Sequence, residues 1–284
     1  MDKSKLLLST ILNSRLLTTG IILFLFVSLF GVVGGWFIDP EMADVGAGYP
    51  SQPPSWEHWL GTDQQGRDVL SDLLLGTPQT LKIGLIAAFV GVGIGTIFGF
   101  VGGYFGGKID VLIRLLSDVF MTIPGLLILI VIASLLDIVS TTLLGFVIAT
   151  FGWMGACRVT RAQVLTMRER AYVQVAKLNG VNDYEIIFKE MLPNLLPFIA
   201  ASLTGATAGA VLASLGLSAL GLGPQNEPSI GLTIYWALHY GALIRELWWW
   251  FMPPVVVMIL LFLSLFLITA GLDQIANPRL KDKI

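Results

Sequence analysis

Residues 168–197 read RERAYVQVAKLNGVNDYEIIFKEMLPNLLP and form the longest polar run in a chain that is otherwise mostly apolar. A helical pattern covers about residues 167–179, and Gly180 follows it, where a helix can end in a left-handed turn. Asn182 then predicts the cap of a second helix, with Glu185 reaching back to it in a capping box. The stretch therefore predicts a polar helix–turn–helix, called here the hairpin.

The second half of the hairpin carries an apolar face and two prolines. Pro193 and Pro197 are expected to close the unit, because proline lacks the N–H that a continuing helix needs. Five apolar side chains are spaced to pack: Ile186, Ile187, Phe188, Met191 and Leu192. A structured polar hairpin between two membrane spans predicts docking of a soluble partner. We expect the contact in the turn Leu178–Ile187, whose tip consists of Asn182, Asp183 and Tyr184.

Composition indicates an integral membrane protein. Of 284 residues, 55% are hydrophobic and 13% are charged, whereas soluble domains have roughly 25% charged residues. The net charge of -2 gives no reason to expect nucleic acid as a partner. Cys157 is the single cysteine, which excludes an intrachain disulfide. His58 and His239 are far apart in the sequence, so we expect no metal site and no bound cofactor.

Six apolar segments are long enough to cross a bilayer, since about 20 residues span its hydrocarbon core. They lie at about residues 16–38, 80–104, 111–136, 141–159, 196–217 and 251–272. The first is interpreted as an uncleaved span, because it is too long for the apolar region of a secretory signal. The sequence thus predicts an all-α membrane protein with six transmembrane helices. Residues 1–15 precede a transmembrane domain that covers 16–284.

The distribution of Lys and Arg predicts the orientation. If the N-terminus lies inside, the inside segments hold most of the basic residues: Lys3, Lys5, Arg15, Lys108, Arg158, Arg161, Arg168, Arg170, Lys177, Lys189, Arg279, Lys281 and Lys283. The outside segments hold only Arg67, Lys82 and Arg245. The positive-inside rule therefore predicts that both termini and the loop 166–195 are cytoplasmic.

Two longer segments are expected on the outside. The first, residues 39–79, is acidic and ends in a short amphipathic helix, Val69–Leu75. The second, residues 217–250, ends in a run of three tryptophans that is typical of the membrane interface. Within it, Ser229–Tyr240 predicts a short helix over the mouth of the bundle.

Small residues are concentrated in two spans. Glycines recur every four residues at positions 91, 95, 99 and 103, and such a face lets another helix approach closely. This pattern favours either packing within the chain or packing around a pathway or a second membrane subunit. The fifth span repeats the pattern and adds hydroxyl groups that can face water. Its candidate pathway residues are Ser202, Thr204, Gly205, Thr207, Gly209 and Ser214.

Arg114 and Asp118 share one face of the third span, which predicts an ion pair or a role in gating. Residues 102–108, GGYFGGK, have the spacing of a phosphate-binding loop. However, Ile109 replaces the required Ser or Thr, and a span replaces the required strand. We interpret this segment as a tight cytoplasmic turn. The sequence contains no other phosphate-binding loop and no catalytic constellation, so if this membrane protein works in ATP-driven transport, the ATPase is another polypeptide.

The hairpin resembles the EAA loop of permease subunits of bacterial and archaeal ABC importers. The matching positions are Gln174, Val175, Ala176, Gly180, Glu190, Leu192 and Pro193. Gln174 and Val175 differ from the Glu and the first Ala of the pattern, and Glu190 stands at its apolar position. The spacing of the glycine and of Leu-Pro is retained. The resemblance implies that these residues, together with Asn182, Asp183, Tyr184 and Glu185, couple the chain to an ATPase.

The resemblance in the outer segment is more specific than that in the hairpin. Residues 60–71, LGTDQQGRDVLS, resemble the signature of the second permease in the dipeptide, oligopeptide and nickel group of these importers. Its members here are Gly61, Thr62, Asp63, Gly66, Arg67 and Asp68. Residues 217–225 and the tail 277–280 resemble the same group, and the likeness covers nearly the whole chain from Leu16 onward.

This resemblance implies a type I ABC importer permease fold with a cytoplasmic coupling helix. Such a permease pairs with a homologous second permease, two cytoplasmic ATPase subunits that use ATP and Mg, and an extracytoplasmic solute-binding protein. Peptides are the expected solute, with oligosaccharides second and nickel third. Two other classes stay open, an ion-coupled carrier and a membrane scaffold. No carboxylate or histidine lies near the middle of a span, where such a carrier usually has one.

Overall fold

The computed structural model describes residues 14–276, and this part of the chain contains nine α-helices. Apart from an isolated bridge between Thr62 and Asp68, residues 14–276 contain no β-structure. The helices are α1 Arg15–Gly34, α2 Val69–Phe105, α3 Gly107–Thr122, α4 Gly125–Ser134, α5 Thr141–Arg168, α6 Ala171–Leu178, α7 Asp183–Ala219, α8 Ile230–His239 and α9 Trp248–Ala276.

Five of these helices are long and apolar enough to cross a membrane: α1, α2, α5, α7 and α9. The pair α3 and α4 passes the same test together but bends by 76°, so the described residues contain up to six spans. This confirms the predicted all-α, multi-span fold class. The span predicted at 111–136 corresponds to this bent pair, because Pro124 follows Thr122 and Ile123 and interrupts the helix there.

The central helix α2 begins at Val69, well before the apolar segment predicted at 80–104. Asp68 caps it, and its carboxylate accepts a hydrogen bond from the N–H of Ser71 at 2.8 Å. The separate amphipathic helix predicted at residues 69–75 is therefore wrong. The helix continues past Pro78, whose ring fits against α1, since a Cβ on Gly31 would lie 2.7 Å from the Cδ of Pro78.

The glycine series on α2 packs against α5. A Cβ at Gly99 would lie 2.7 Å from the carbonyl oxygen of Cys157, and one at Gly103 would lie 2.9 Å from a side-chain methyl of Val164. A Cβ at Gly95 would overlap the carbonyl oxygen of Trp153. The two helices approach so closely that only glycine fits. This observation supports packing within the chain rather than against a second subunit.

The short helix expected over the bundle is present as α8, and Ser229 caps it by accepting from the N–H of Leu232 at 3.1 Å. It lies at the end of the bundle opposite the hairpin. Trp250 at the start of α9 is fully buried in the same region. Thus the tryptophan run includes a core residue and is not purely an interfacial belt.

Candidate functional site

The turn of the hairpin is built on Gly180, which follows α6 with a backbone φ of +73°. Its N–H donates to the carbonyl of Lys177 at 3.0 Å, and the N–H of Val181 donates to the carbonyl of Ala176 at 3.1 Å. These two bonds define the Schellman motif, which satisfies the last carbonyl groups of a helix. Gly180 has the left-handed conformation that its position in the sequence predicts.

The second helix starts differently from the prediction. The side chain of Asn182 accepts from the N–H of Tyr184 at 3.2 Å, so Asn182 is a cap. Glu185 does not complete a capping box, because its carboxylate pairs with Lys189 one turn further along. An oppositely charged residue four positions away competes for the carboxylate.

The expectation that Pro193 and Pro197 close the hairpin is also wrong. Helix α7 runs through both prolines as far as Ala219. Its segment Ile186–Met191 is π-helical, and the N–H of Leu192 donates to the carbonyl of Ile187, five residues back. This wider turn directly precedes Pro193, so it relieves the clash between the proline ring and the preceding carbonyl groups. The hairpin is thereby continuous with a membrane-spanning helix.

Buried side chains hold the hairpin against the bundle. Val173 of α6 and Ile186 and Met191 of α7 are fully buried, in one cluster with Phe100 of α2 and Val164 of α5. Two other residues of the predicted apolar face, Ile187 and Leu192, pack partly against this cluster. Phe188, the fifth residue of that face, does not pack there and is 62% exposed. The hairpin is therefore anchored to the ends of α2 and α5 by apolar packing.

The predicted docking residues fall into two groups. Most are exposed: Gln174, Gly180, Asn182, Asp183, Tyr184, Glu185 and Pro193. Ala176 and Leu192 are half-buried. The largest exposed apolar side chains beside them are Leu178 at 86%, Tyr184 at 71% and Phe188 at 62%. An anchored element that presents three large apolar side chains is typical of a protein-docking surface.

The side chains of Gln174 and Tyr172 have features that the sequence did not indicate, a hydrogen bond to the backbone and a raised pKa. The amide of Gln174 donates to the carbonyl of Arg168 at 3.0 Å and so satisfies the last turn of α5. This bond depends on the amide N–H of Gln174, because an ionised glutamate at this position would have only acceptor atoms. Partial burial raises the pKa of the Tyr172 phenol.

Charged residues link α3 to α5 in the half of the bundle nearer the hairpin. Arg161 makes two bonds to Asp110, one of them 2.7 Å long, and Arg158 donates to Asp118 at 2.7 Å. The Arg114–Asp118 ion pair predicted within α3 is thus wrong, because Arg158 of α5 reaches the carboxylate first. Arg114 instead lines a cavity of about 220 Å³ beside these pairs.

The candidate pathway residues of α7 do not share one face. Gly205 and Gly209 are exposed, and no atom lies within 4 Å of a Cβ built on either. Thr207 and Ser214 are buried, and their hydroxyl groups donate to carbonyl groups of α7, so they face the interior of the chain instead of water. Ser202 and Thr204 are half-buried between the two faces.

A cavity of about 270 Å³ adjoins the open face of α7. It reaches Gly209 and is bounded by α4 and α5 through Leu126 and Phe151. Its walls are formed largely by alanine, glycine and apolar side chains. Of the six candidates, Gly205 and Gly209 are therefore the two whose position fits a surface open to a pathway or to another subunit.

The outer-loop signature forms a buried core before α2. Asp63 accepts from the backbone N–H and the guanidinium of Arg67, each at 2.9 Å, and Asp68 pairs with His58 at 2.9 Å. Thr62 is also fully buried, and its hydroxyl donates to the carbonyl of Tyr49 at 2.6 Å. These side chains fold the segment before α2 into a rigid cap.

The two glycines of the signature are needed for the same fold. Gly61 and Gly66 have φ values of +69° and +78°. A Cβ on Gly61 would lie 2.7 Å from the Trp249 ring, and one on Gly66 would overlap the carbonyl of Gly48. The signature therefore specifies a compact structure at this end of the bundle. The tail at 277–280, which carries part of the same resemblance, lies outside the described residues.

An anchored hairpin exposed at one end of a bundle of apolar helices is the architecture of a multi-pass membrane protein. The chain belongs to the family of binding-protein-dependent transport system inner membrane components, whose sequence profile matches residues 91–282. This is a family of membrane permease subunits of ABC transporters and not of catalytic enzymes. Membership agrees with the predicted type I permease fold and with a location in the cell membrane.

Several curated proteins are similar to the chain. The oligopeptide transport system permease protein OppC of Lactococcus lactis subsp. cremoris is 34% identical over 64% of this chain and 62% of its own length. The dipeptide transport system permease protein DppC of Bacillus subtilis is 33% identical over 75% of this chain and 66% of its own. OppC of Haemophilus influenzae is 31% identical over 76% of this chain and 70% of its own length. The chain thus spans less than two thirds of the length of the first two relatives.

Proposed function

We propose that this chain is a permease subunit of an ATP-driven importer and forms half of a translocation pathway for peptides. The observation that carries the proposal is the hairpin, which is anchored by fully buried side chains and exposes its tip. Peptides are favoured over oligosaccharides because the similar permeases belong to oligopeptide and dipeptide transport systems. Nickel has no such support.

The partners follow from this assignment. A second homologous permease supplies the other half of the pathway, so the membrane unit is a heterodimer embedded in lipid. Two ABC ATPase subunits bind ATP and Mg on the cytoplasmic side, which is also the proposed side of both termini and the hairpin. A solute-binding protein delivers peptide from the opposite side. The excess of Lys and Arg on the hairpin side supports this orientation.

The hairpin transmits movement of the ATPases to the membrane-spanning helices. Closure of the ATPases on ATP pushes on the surface formed by Leu178, Tyr184 and the rest of the tip. The π-helical turn Ile186–Met191 joins this tip directly to α7, and the buried cluster around Val173 joins it to α2 and α5. Rigid elements that move between two packed arrangements are what alternating access requires.

The open face of α7 is the proposed wall of the pathway. Gly205 and Gly209 lie on it, and the cavity beside Gly209 is bounded by α4 and α5. Ser202 and Thr204 lie at the edges of this face and supply hydroxyl groups near it. The missing opposite wall belongs to the second permease.

Reconstitution tests the proposal. The chain is purified with its second permease and ATPases, placed in liposomes, and supplied with the binding protein, with ATP and Mg on the ATPase side. We expect a labelled short peptide to accumulate only with ATP, and an excess of oligosaccharide to leave this accumulation unchanged. Uptake that follows an ion gradient without ATP would contradict the proposal, as would accumulation of oligosaccharide in place of peptide.

A further inference from the structure

Tyr104, at the hairpin end of α2, is the point where three parts of the hairpin converge. Its hydroxyl donates to a carboxylate oxygen of Asp183 at 2.5 Å. The ammonium of Lys177 lies 4.6 Å from the centre of its ring. Arg168 donates to its backbone carbonyl at 3.2 Å. Tyr104 therefore contacts the end of α5, the end of α6 and the start of α7 at once.

Tyr104 is buried, whereas its partner Asp183 is exposed. The residue is only 4% exposed, whereas Asp183 belongs to the exposed tip of the hairpin. A buried tyrosine hydroxyl normally needs a hydrogen-bond partner, and a carboxylate is a strong one. A cation over the ring face adds attraction from the same side. These contacts hold the tip against α2. Phenylalanine would fill the same space but could not make the hydrogen bond to Asp183.

The opposite end of α2 is bonded just as closely to α8. The hydroxyl of Thr233 donates to Asp72 at 2.6 Å, and the N–H of Ile230 donates to the hydroxyl of Thr80 at 3.1 Å. Between these bonds, a Cβ on Gly76 would lie 3.0 Å from the backbone of Ser229. The first turn of α8 is thus fixed to one face of α2.

Helix α2 joins the two sites as a single element. It has 37 residues, which corresponds to about 55 Å. Its glycine face is packed against α5 so closely that α2 cannot bend there without separating the two backbones. A displacement of Tyr104 is therefore carried along α2 to the site where α8 lies over the bundle.

We propose that Tyr104 is a positioning residue that clamps the hairpin to α2, and that α2 carries movement of the hairpin to α8. This inference rests on the proposed function, because it concerns how an ATPase bound at one end changes access at the other. The Tyr104–Asp183 bond sets how much of the ATPase's movement reaches α2. The Asp72–Thr233 bond sets how much of it reaches α8.

The test is the number of peptides imported per ATP hydrolysed, measured in liposomes that contain the complete transporter. We expect Tyr104→Phe to lower this ratio roughly tenfold, the factor for losing one hydrogen bond to a charged group. ATP hydrolysis without binding protein should continue at the wild-type rate. Tyr49→Phe, which removes a hydroxyl from an exposed tyrosine at the other end of the molecule, should leave the ratio unchanged.

A double-mutant cycle separates coupling from a general loss of stability. Asp183→Ala alone should lower the ratio, and Tyr104→Phe combined with Asp183→Ala should lower it no further, because both changes remove the same bond. A wild-type ratio in Tyr104→Phe would overturn the inference, and so would effects of the two changes that multiply.

Thr233→Val provides an independent variant if Tyr104→Phe fails to assemble. It removes the bond to Asp72 at the far end of α2 and keeps the hairpin intact. It should lower the ratio of peptide to ATP while the ATPases still copurify in wild-type amounts, and an unchanged ratio would overturn the inference. Wild-type transporter without any ATP-driven import would instead refute the proposed function, so the two failures are distinguishable.

Discussion

At the scale of single residues, backbone conformation was predictable and side-chain partners were not. Gly180 combines a φ of +73° with open space around its Cβ position, so conformation alone restricts that site. Its place after a helical run identified this beforehand. Glu185 shows the limit, because the capping-box spacing and the alternative partner Lys189 are both visible in the sequence. Only the folded geometry decides between two local partners of similar strength.

Replacement of Gly180 should separate conformation from contact. Gly180→Val should destabilise the hairpin by about 1–2 kcal/mol, the cost of a left-handed conformation for an L side chain. Gly180→Asn should cost much less, because asparagine adopts this conformation more readily. Thermal unfolding and peptide uptake, measured side by side, check both variants. Equal effects of valine and asparagine would show that conformation is not what position 180 requires.

The buried pair in the outer signature should matter far more than an exposed pair. Asp63→Ala leaves the buried guanidinium of Arg67 without its partner, and removing one member of a buried pair costs about 3–5 kcal/mol. Lys189→Gln breaks the exposed pair with Glu185 and should leave stability unchanged. Thermal unfolding in detergent measures both. A melting temperature of Asp63→Ala equal to that of wild type would refute the structural role of the signature.

At the scale of helices, apolar length predicted where the spans lie but not how they start, bend or continue. Pro124 breaks one span, while Pro78 and Pro197 lie inside continuous helices. Proline is tolerated where a neighbouring helix or a widened turn accommodates it, and that information is tertiary. The surroundings of hydroxyl groups could not be predicted from sequence either. Thr207 and Ser214 were expected to face a pathway but pack between helices, where small polar residues are also favoured.

The glycine face of α2 gives a matched pair of variants on one helix. Gly95→Ala places a methyl group against the backbone of Trp153 and should destabilise the protein by about 1–3 kcal/mol. Gly93→Ala adds the same methyl group at an exposed position where nothing lies within 4 Å. It should be neutral or slightly stabilising. Thermal unfolding of both variants checks this, and similar losses would argue against close packing of α2 on α5.

At the scale of the whole molecule, the predicted all-α, multi-span fold class was correct, because composition is a global signal. The predicted end of the hairpin at Pro193 and Pro197 was wrong. The role of α2 was not predicted, because its partners are distant in sequence. Tyr104 lies 79 residues from Asp183, and Asp72 lies 161 residues from Thr233. Large apolar side chains stay exposed on α1, α3 and α4. Lipid and a second permease would cover such surfaces equally well, so residue type alone does not distinguish them.

Site-directed crosslinking tests whether an ATPase subunit binds the hairpin. Replacing the single cysteine by Cys157→Ala gives a background for Leu178→Cys at the exposed turn and, as a control, Leu243→Cys at the opposite end, where the leucine is 68% exposed. A short thiol-to-amine crosslinker should join the chain to an ATPase subunit from position 178 and never from position 243. Absence of this product from Leu178→Cys in an actively importing complex would contradict the account.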